Sequence, residues 1–296
     1  MNRVVRGWFT AAAAFALASV VMGAVVCATE SGASCPNWPG CYLDQFLPTP
    51  AAGLSTNPLI EFAHRVVAGL TGPVVLVTAI LGRRLSDPRP RRLAWIALAG
   101  TLSAGLFGML IVKVGIPWWL GVLDLGSALV ATTALVQARV LLDRPVWAPD
   151  RVARTAWAAL ATLVLLHLSA LGVAGTNSFT RCLGWPLGVL GADRWPVVQG
   201  VRLALALAAA SLIVLAVVGA LRRGGLVVPA TVAALLLAAE LLLAVVLLLG
   251  VGSVAVRAVY AVDAAGLFGA VAVLAARASV TAAPVGASAP QQAVAG

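Results

Sequence analysis

The sequence predicts an all-α, polytopic membrane protein whose eight transmembrane helices form two pseudo-symmetric, parallel four-helix bundles. Of the 296 residues, 61% are hydrophobic and only 10% are Asp, Glu, Lys or Arg, and the mean hydropathy is +1.02. An ordinary soluble domain carries about 25% charged residues, so this composition excludes a water-soluble globular protein. Eight apolar runs, each long enough for the ~20 residues that one bilayer crossing needs, supply the helices.

The eight predicted spans are bounded by charged residues, Pro or Gly. They cover residues 8–29, 59–81, 93–113, 118–141, 155–176, 196–219, 228–249 and 253–276. The first run is longer than the ~7–15 apolar residues of a secretory signal, and a similar segment recurs in mid-chain, so it is interpreted as a retained helix. The Ala-, Pro- and Gln-containing tail, 281–296, shows no periodicity and is predicted to be disordered.

The basic residues indicate the orientation in the membrane. The net charge is +10, and 19 of the 20 basic residues are Arg. They cluster between apolar runs and not along one polar face, so the positive-inside rule explains them better than nucleic-acid binding. With the N-terminus inside, fourteen basic residues fall on the inner side, and the outer side holds only Lys113, Arg181, Arg194 and Arg257. This asymmetry predicts a multi-pass plasma-membrane protein with both termini cytoplasmic.

A repeated loop motif divides the chain into two halves. The first outer loop reads CPNWPGC from Cys35 to Cys41, and the third reads CLGWPLG from Cys182 to Gly188. The two halves can be aligned on these loops and on the next Arg of each half, Arg65 and Arg202. In this alignment His64 corresponds to Val201, and Asp124 corresponds to Asp263. Since four spans return the chain to its starting side, the two halves, 1–145 and 146–280, are predicted to be parallel.

Several ionisable residues fall inside the predicted spans, where charge is costly and by default marks a site or a buried pair. These residues are Glu61, His64, Arg65, Asp124, His167, Arg202, Glu240 and Asp263. Most of them belong to even-numbered spans, within about three turns of the outer end. The even-numbered spans are therefore predicted to converge on one layer near the outer surface.

The densest of these constellations lies in the second span. Glu61 and His64 are three residues apart, so both side chains can lie on one helix face, with Arg65 just beyond. One hypothesis is that the carboxylate and imidazole position water or a proton, or that His64 ligates haem iron while Arg65 pairs with a propionate. The alternative is a buried ion pair between Glu61 and Arg65, with His64 hydrogen-bonded to a hydroxyl or carbonyl.

Together these segments resemble the haem A synthase family, membrane enzymes that oxidise the methyl group of haem O to the formyl group of haem A. The resemblance rests on the loop from Ser31 to Cys41, on Glu61-Phe-Ala-His64-Arg65, on the repeat and on the second Cys-x-x-Trp-Pro loop, and it covers all eight spans. It implies a substrate haem in the N-terminal half and a permanent haem b in the C-terminal half. It also implies one axial His from each even-numbered span.

Carried over to this sequence, the resemblance makes Glu61 the carboxylate that assists the oxidation and His64 an iron ligand. The implied haem-contacting residues are His64, Arg65, Asp124, Arg202 and Asp263. The other three axial positions depart from the family, because they hold Asp124, Val201 and Asp263. Valine cannot ligate iron and aspartate is a poor axial ligand, so the implied haem b lacks its His ligands. Arg202 and Asp263 are instead predicted to pair as buried opposite charges.

Six further residues carry narrower predictions. Cys35 and Cys41 lie in a loop on the oxidising side and are predicted to form a disulfide, which the resemblance also implies as a redox pair. Cys27 either bridges to Cys182 or remains a free thiol. His167 either makes an interhelical hydrogen bond or supplies a ligand from another helix, and Glu240 is a proton-relay acid or is protonated against a neighbour.

Three function classes are compatible with these patterns. The first is a haem A synthase-like oxidoreductase that acts on haem O, with haem O synthase, oxidase assembly factors or a second copy of the chain as partners besides the lipid bilayer. The alternative is a non-catalytic paralogue that serves oxidase assembly or a membrane transport system. A secondary transporter is the third class, and matching Gly- or Pro-broken short helices, which would support it, are missing from the sequence.

Overall fold

The computed structural model describes residues 3–115, 117–143, 146–173, 182, 185–186 and 196–281. Eight long helices fill most of these ranges, and each is long and apolar enough to cross a membrane. They are α1 (Arg3–Ala28), α2 (Pro58–Gly82), α3 (Pro88–Val114), α4 (Trp118–Asp143), α5 (Arg151–Val173), α6 (Pro196–Arg222), α7 (Val227–Leu248) and α8 (Val254–Ala278). The predicted all-α, polytopic fold is confirmed.

The helices begin where the local sequence offers a cap. The Asn57 side chain accepts a hydrogen bond from Leu59 N before Pro58 opens α2, and Ser253 caps α8 in the same way. Asp87 caps α3 by accepting from Arg89 N at 2.9 Å. The Arg89 guanidinium also hydrogen-bonds this carboxylate, which holds the pKa of Asp87 below its usual value. Since charged residues join these first turns, α1 and α3 begin earlier than the apolar runs predict.

The helices pack into two adjoining groups of four. In the first group α1 contacts α2 and α4, and α3 contacts the same two helices. In the second, α5 contacts α6 and α8, and α7 also contacts both. The groups meet where α1 packs on α8 and where α4 packs on α5 and α8. The predicted halves, 1–145 and 146–280, and their pseudo-symmetry stay predictions.

The eighth helix lies at the centre of the molecule. It is the most deeply buried of the eight helices, and α3 is the most exposed. Close approach of α8 to α1 depends on a glycine, because a Cβ atom at Gly269 would lie 2.9 Å from Cδ2 of Leu17. The first and last helices are thus packed side by side in the core.

A short strand pair closes the end of the bundle opposite the first loop. Strand β1 (Val146–Trp147) pairs antiparallel with β2 (Val280–Thr281). Nearby, Ala148 N donates to the Ser279 carbonyl at 2.9 Å, and Trp157 Nε1 donates to Ser279 Oγ at 2.8 Å. The predicted tail therefore begins after Thr281, and 282–296 lie outside the described residues, as do Arg181, Gly188 and Arg194 of the third outer loop.

The contact between α3 and α4 gives a testable prediction about packing. A Cβ atom at Gly100 would lie 2.8 Å from the Ser127 carbonyl oxygen, whereas one at Gly105 would meet no heavy atom within 4 Å. We expect Gly100→Ala to destabilise the protein by about 1–3 kcal/mol, because the two backbones must separate. Gly105→Ala, the matched control, should be neutral or stabilising, since Ala is the better helix former. Thermal melts of the purified variants in detergent test this, and equal melting temperatures would contradict it.

Candidate functional site

A cavity of about 570 Å³ lies among α1, α2, α3 and α4, near the end of the bundle that carries the first loop. Its wall is mostly apolar and contains many small residues, such as Ala16, Ala68, Ala104 and Ala128. Sites for small molecules and cofactors are typically mostly apolar cavities of about 300–1,000 Å³ with a few placed polar groups. The polar groups here are the ionisable residues of the second and fourth spans.

His64 reaches the cavity wall from α2 and faces α1. A Cβ atom at Gly23 would lie 3.4 Å from His64 Cε1 and 3.7 Å from Nε2, so the glycine leaves room for the imidazole ring. His64 Nδ1 is buried, and the described residues provide no hydrogen-bond partner for it. A buried polar atom without a partner is rare in a native protein and calls for an explanation such as a ligand or an ordered water.

Glu61 and Arg65 form the ion pair that one of the two sequence interpretations predicts. Arg65 Nε lies 2.9 Å from Glu61 Oε1, and the two side chains are only 11% and 7% exposed. The four-residue spacing places both groups on one face of α2. Glu61 is consequently held in the cavity wall beside His64, with one carboxylate oxygen fixed by the guanidinium.

The rest of the Arg65 guanidinium binds the backbone of the first loop. Nη2 donates to the Cys35 carbonyl at 2.7 Å, and Nη1 donates to the Gly40 carbonyl at 3.0 Å and to the Asn37 carbonyl. Four of the five guanidinium N–H groups are thereby used within the protein. Arg65 fixes the loop over the cavity, and its predicted pairing with a propionate would have to use the remaining N–H group.

The four cysteines form two pairs at bonding distance. The Sγ atoms of Cys35 and Cys41 lie 2.03 Å apart inside the first loop. Those of Cys27, at the end of α1, and Cys182 lie 2.09 Å apart, which is the bridging alternative of the sequence analysis and links the two helix groups. Cys27 and Cys182 both line the cavity, so this link forms part of its wall.

Asp124 enters the same cavity from α4. A Cβ atom at Gly108 of α3 would lie 3.9 Å from Asp124 Oδ1. The structure therefore brings Glu61, His64, Arg65 and Asp124 around one cavity, as the convergence of the even-numbered spans predicts for the first half. It does not bring Arg202 and Asp263 there.

The predicted ion pair between Arg202 and Asp263 is not formed. Arg202 is fully buried, and its Nη1 donates to Gln199 Oε1 at 2.9 Å, one turn away on the same helix. Asp263 instead faces Glu240 of α7, which gives Glu240 a neighbouring carboxyl and the Tyr260 hydroxyl. The sequence prediction was wrong because spacing along a helix does not determine which neighbouring helix a side chain meets.

The residues of the second half do not fit a haem b with two axial histidines. The whole chain contains two His, of which one is His64 in the first half. The side chain of Val201 is 55% exposed, because a buried Arg202 turns the preceding residue about 100° away from the interior. Within the described part of α5 to α8, Arg202, Tyr260 and Glu240 occupy the buried interior.

One residue of the cavity wall was missed by the sequence analysis as a site residue. Arg257 of α8 lines the cavity, although its sequence position suggested only an outer basic residue. A signal was present, because Ala261 and Ala264 follow it at intervals of four and seven residues and lie on the buried face of α8. That periodicity predicts an inward-facing Arg257.

The fold and the cavity define a multi-pass helical membrane protein with a ligand-sized chamber inside one group of four helices. No family model matches the chain. Curated relatives named heme A synthase match at 32% identity in Halalkalibacterium halodurans, at 30% in Shouchella clausii and at 27% in Geobacillus kaustophilus. Over these aligned segments the chain is similar to curated haem A synthases.

These matches cover 38%, 57% and 61% of this chain, and 40%, 58% and 59% of the respective relatives. The aligned part thus spans roughly half the length of the curated relatives. The resemblance seen in the sequence is thereby supported by named relatives over part of the chain.

Proposed function

We propose that this protein is a haem A synthase-like membrane oxidoreductase that binds haem O in the cavity of the first half and oxidises its methyl group to a formyl group. The observation that carries the proposal is a single imidazole, His64, in the wall of an apolar cavity of about 570 Å³. Its buried Nδ1 has no hydrogen-bond partner among the residues that the structure describes. The names of the relatives supply the substrate class.

The chain's own residues have distinct roles in this proposal. The oxidation of a methyl to a formyl group takes up one water and releases four electrons and four protons, so it requires an electron acceptor from outside the chain. The bound haem iron, which His64 would hold, would supply the redox chemistry. Glu61, fixed by Arg65, is a carboxylate placed to accept or hold a proton next to the substrate. Asp124 contributes a second carboxyl group from the opposite helix, and the apolar wall excludes water from the remaining surface of the macrocycle.

We further propose the orientation that the charge asymmetry predicts. The first loop then lies on the outer face of the plasma membrane, both termini are cytoplasmic, and the cysteine pairs face the oxidising compartment. A haem O synthase is the partner class that would supply the substrate, and oxidase assembly factors would receive the product. The second half lacks a His ligand set for haem b, so we expect one haem per chain.

The haem content of the purified protein tests the proposal. After expression with a supply of haem O, we expect a Soret band and about one haem per chain by pyridine haemochrome analysis, since His64 is the one imidazole in the cavity wall. His64→Ala should lose this haem. His167→Ala, which removes the other buried imidazole of the chain, should keep it.

The same experiment separates the alternatives. A haem-free wild-type protein, or full haem retention in His64→Ala, would contradict the proposed site. Two haems per chain would contradict the interpretation of the second half. Haem that binds through His64 but is never converted to haem A in a synthase-deficient host would favour the non-catalytic paralogue.

A further inference from the structure

Arg257 brings a positive charge from the second helix group into the cavity of the first. It is the fourth residue of α8, and its side chain is only 22% exposed. It shares the cavity wall with His64 and with Trp38 of the first loop. Because α8 begins at the end of the bundle where the first loop lies, the guanidinium occupies that end of the chamber.

The Arg257 guanidinium is only loosely neutralised by the protein. Its Nε atom is buried and has no hydrogen-bond partner among the residues that the structure describes. Among the described residues the nearest carboxylate oxygen belongs to Glu30; this oxygen lies 3.8 Å from Arg257 Nη1, and the Glu30 side chain is 50% exposed. That separation is too long for a hydrogen bond, and such an exposed ion pair contributes little.

Arg65, in the same cavity wall, differs from Arg257 in how many of its N–H groups are already bound. Its guanidinium is already bound to Glu61 and to three loop carbonyls. Arg257 has a buried, unused N–H group and forms no hydrogen bond to Glu30. Of these two guanidinium groups in the cavity wall, Arg257 is therefore the one with donors free for an incoming acceptor.

We propose that Arg257 is the anchor for a carboxylate group of the ligand that fills this cavity. A mostly apolar chamber with one incompletely neutralised guanidinium at its end is complementary to an amphiphile with an apolar body and an acidic edge. The planar guanidinium binds a carboxylate through two parallel hydrogen bonds when the geometry allows. The identity of the ligand rests on the proposed function, under which this carboxylate is a propionate of haem O.

This assignment gives the second half a role in the first site. A haem-ligating His set is missing there, but α8 completes the cavity with a charge that the first four helices do not provide. Arg257 would then fix the orientation of the macrocycle, with its acidic edge towards the first loop, while His64 holds the iron. Arg257 is in this sense a binding residue and takes no part in proton or electron transfer.

The test compares haem O with its dimethyl ester, in which both propionates are neutral. Equilibrium titration of the purified full-length protein, followed by the Soret band, should show the ester binding about tenfold or more weaker than the free acid, because a charge-assisted hydrogen bond is lost. Arg257→Gln should bind the free acid about as weakly as the wild type binds the ester, with no further loss for the ester. Arg257→Lys should recover part of the preference.

Lys113→Gln is the matched control, since it removes one positive charge from an exposed position at the end of α3, outside the cavity wall. It should keep the full preference for the free acid. The inference is overturned if the wild type binds both forms equally, or if Arg257→Gln still discriminates between them. With either of these results, haem binding that depends on His64 would leave the proposed function intact. If the wild type bound neither the free acid nor the ester, the inference about Arg257 and the proposed function would both be overturned.

Discussion

Replacing Arg65 with Ala is expected to lower the stability of the protein by about 3–5 kcal/mol, the usual cost of removing one partner from a buried ion pair. The change strands the Glu61 carboxylate, which is 7% exposed, in the cavity wall. It also removes the donors to the carbonyls of Cys35, Asn37 and Gly40. The first loop should therefore loosen together with α2, and both thermal melts and protease sensitivity of the loop measure this.

Two comparisons make the Arg65 result specific. Arg139 and Asp143 form an ion pair with the same four-residue spacing, at 2.6 Å, but their side chains are 28% and 41% exposed. Arg139→Ala should cost at most about 1 kcal/mol. Arg65→Lys should restore the charge near Glu61 but not the forked contacts with the loop. Its loss of stability should therefore lie between the losses of Arg139→Ala and Arg65→Ala. An Arg65→Ala protein as stable as Arg139→Ala would refute the anchoring role.

Loss of the link between Cys27 and Cys182 is the second large expected effect. The two cysteines are 155 residues apart, so opening the link frees a long loop, and the chain-entropy model gives about 5 kcal/mol as an upper estimate. The pair between Cys35 and Cys41 closes a separation of only 6 residues, for which the same model gives about 2 kcal/mol. We therefore expect Cys27→Ser to lower the melting temperature more than Cys41→Ser.

A cleavage experiment tests the same link without a stability measurement. A protease site introduced between α4 and α5 would cut the chain between the two helix groups. The fragments should migrate together on a denaturing gel without reductant and separate when reductant is added. Cys27→Ser should give separate fragments under both conditions, whereas Cys41→Ser, which leaves the long-range link intact, should behave like the wild type. Separation of the wild-type fragments without reductant would show that the link does not form.

The sequence was sufficient for features that depend on one segment at a time. Apolar runs located all eight helices, and the four-residue spacing of Glu61 and Arg65 made their ion pair an explicit alternative. Features that depend on helix rotation and on neighbours were not accessible in this way. Arg202 illustrates this, because it is buried and contacts Gln199 in place of Asp263. The residues of α6 are apolar on nearly all sides, so no single buried face could be inferred from its sequence.

The residues of the candidate site likewise differ in whether the sequence alone could place them. Glu61, His64 and Asp124 were placed near one another because they occupy equivalent depths in spans of one half. Arg257 escaped notice because it belongs to the other half, and only the packing of α8 against α1 and α4 brings it to the cavity. Depth in the membrane can be read from sequence position, but adjacency between distant helices requires the tertiary structure.

The packing of α1 against α8 has a consequence for biosynthesis. Of the eight described helices, α1 emerges from the ribosome before the others, whereas its core neighbour α8 emerges after them. Until then, the face of α1 that later receives Gly269 of α8 has only lipid or the insertion machinery to contact. The packing of these eight helices, and with it the cavity wall that includes Arg257, can be completed only after α8 has been inserted.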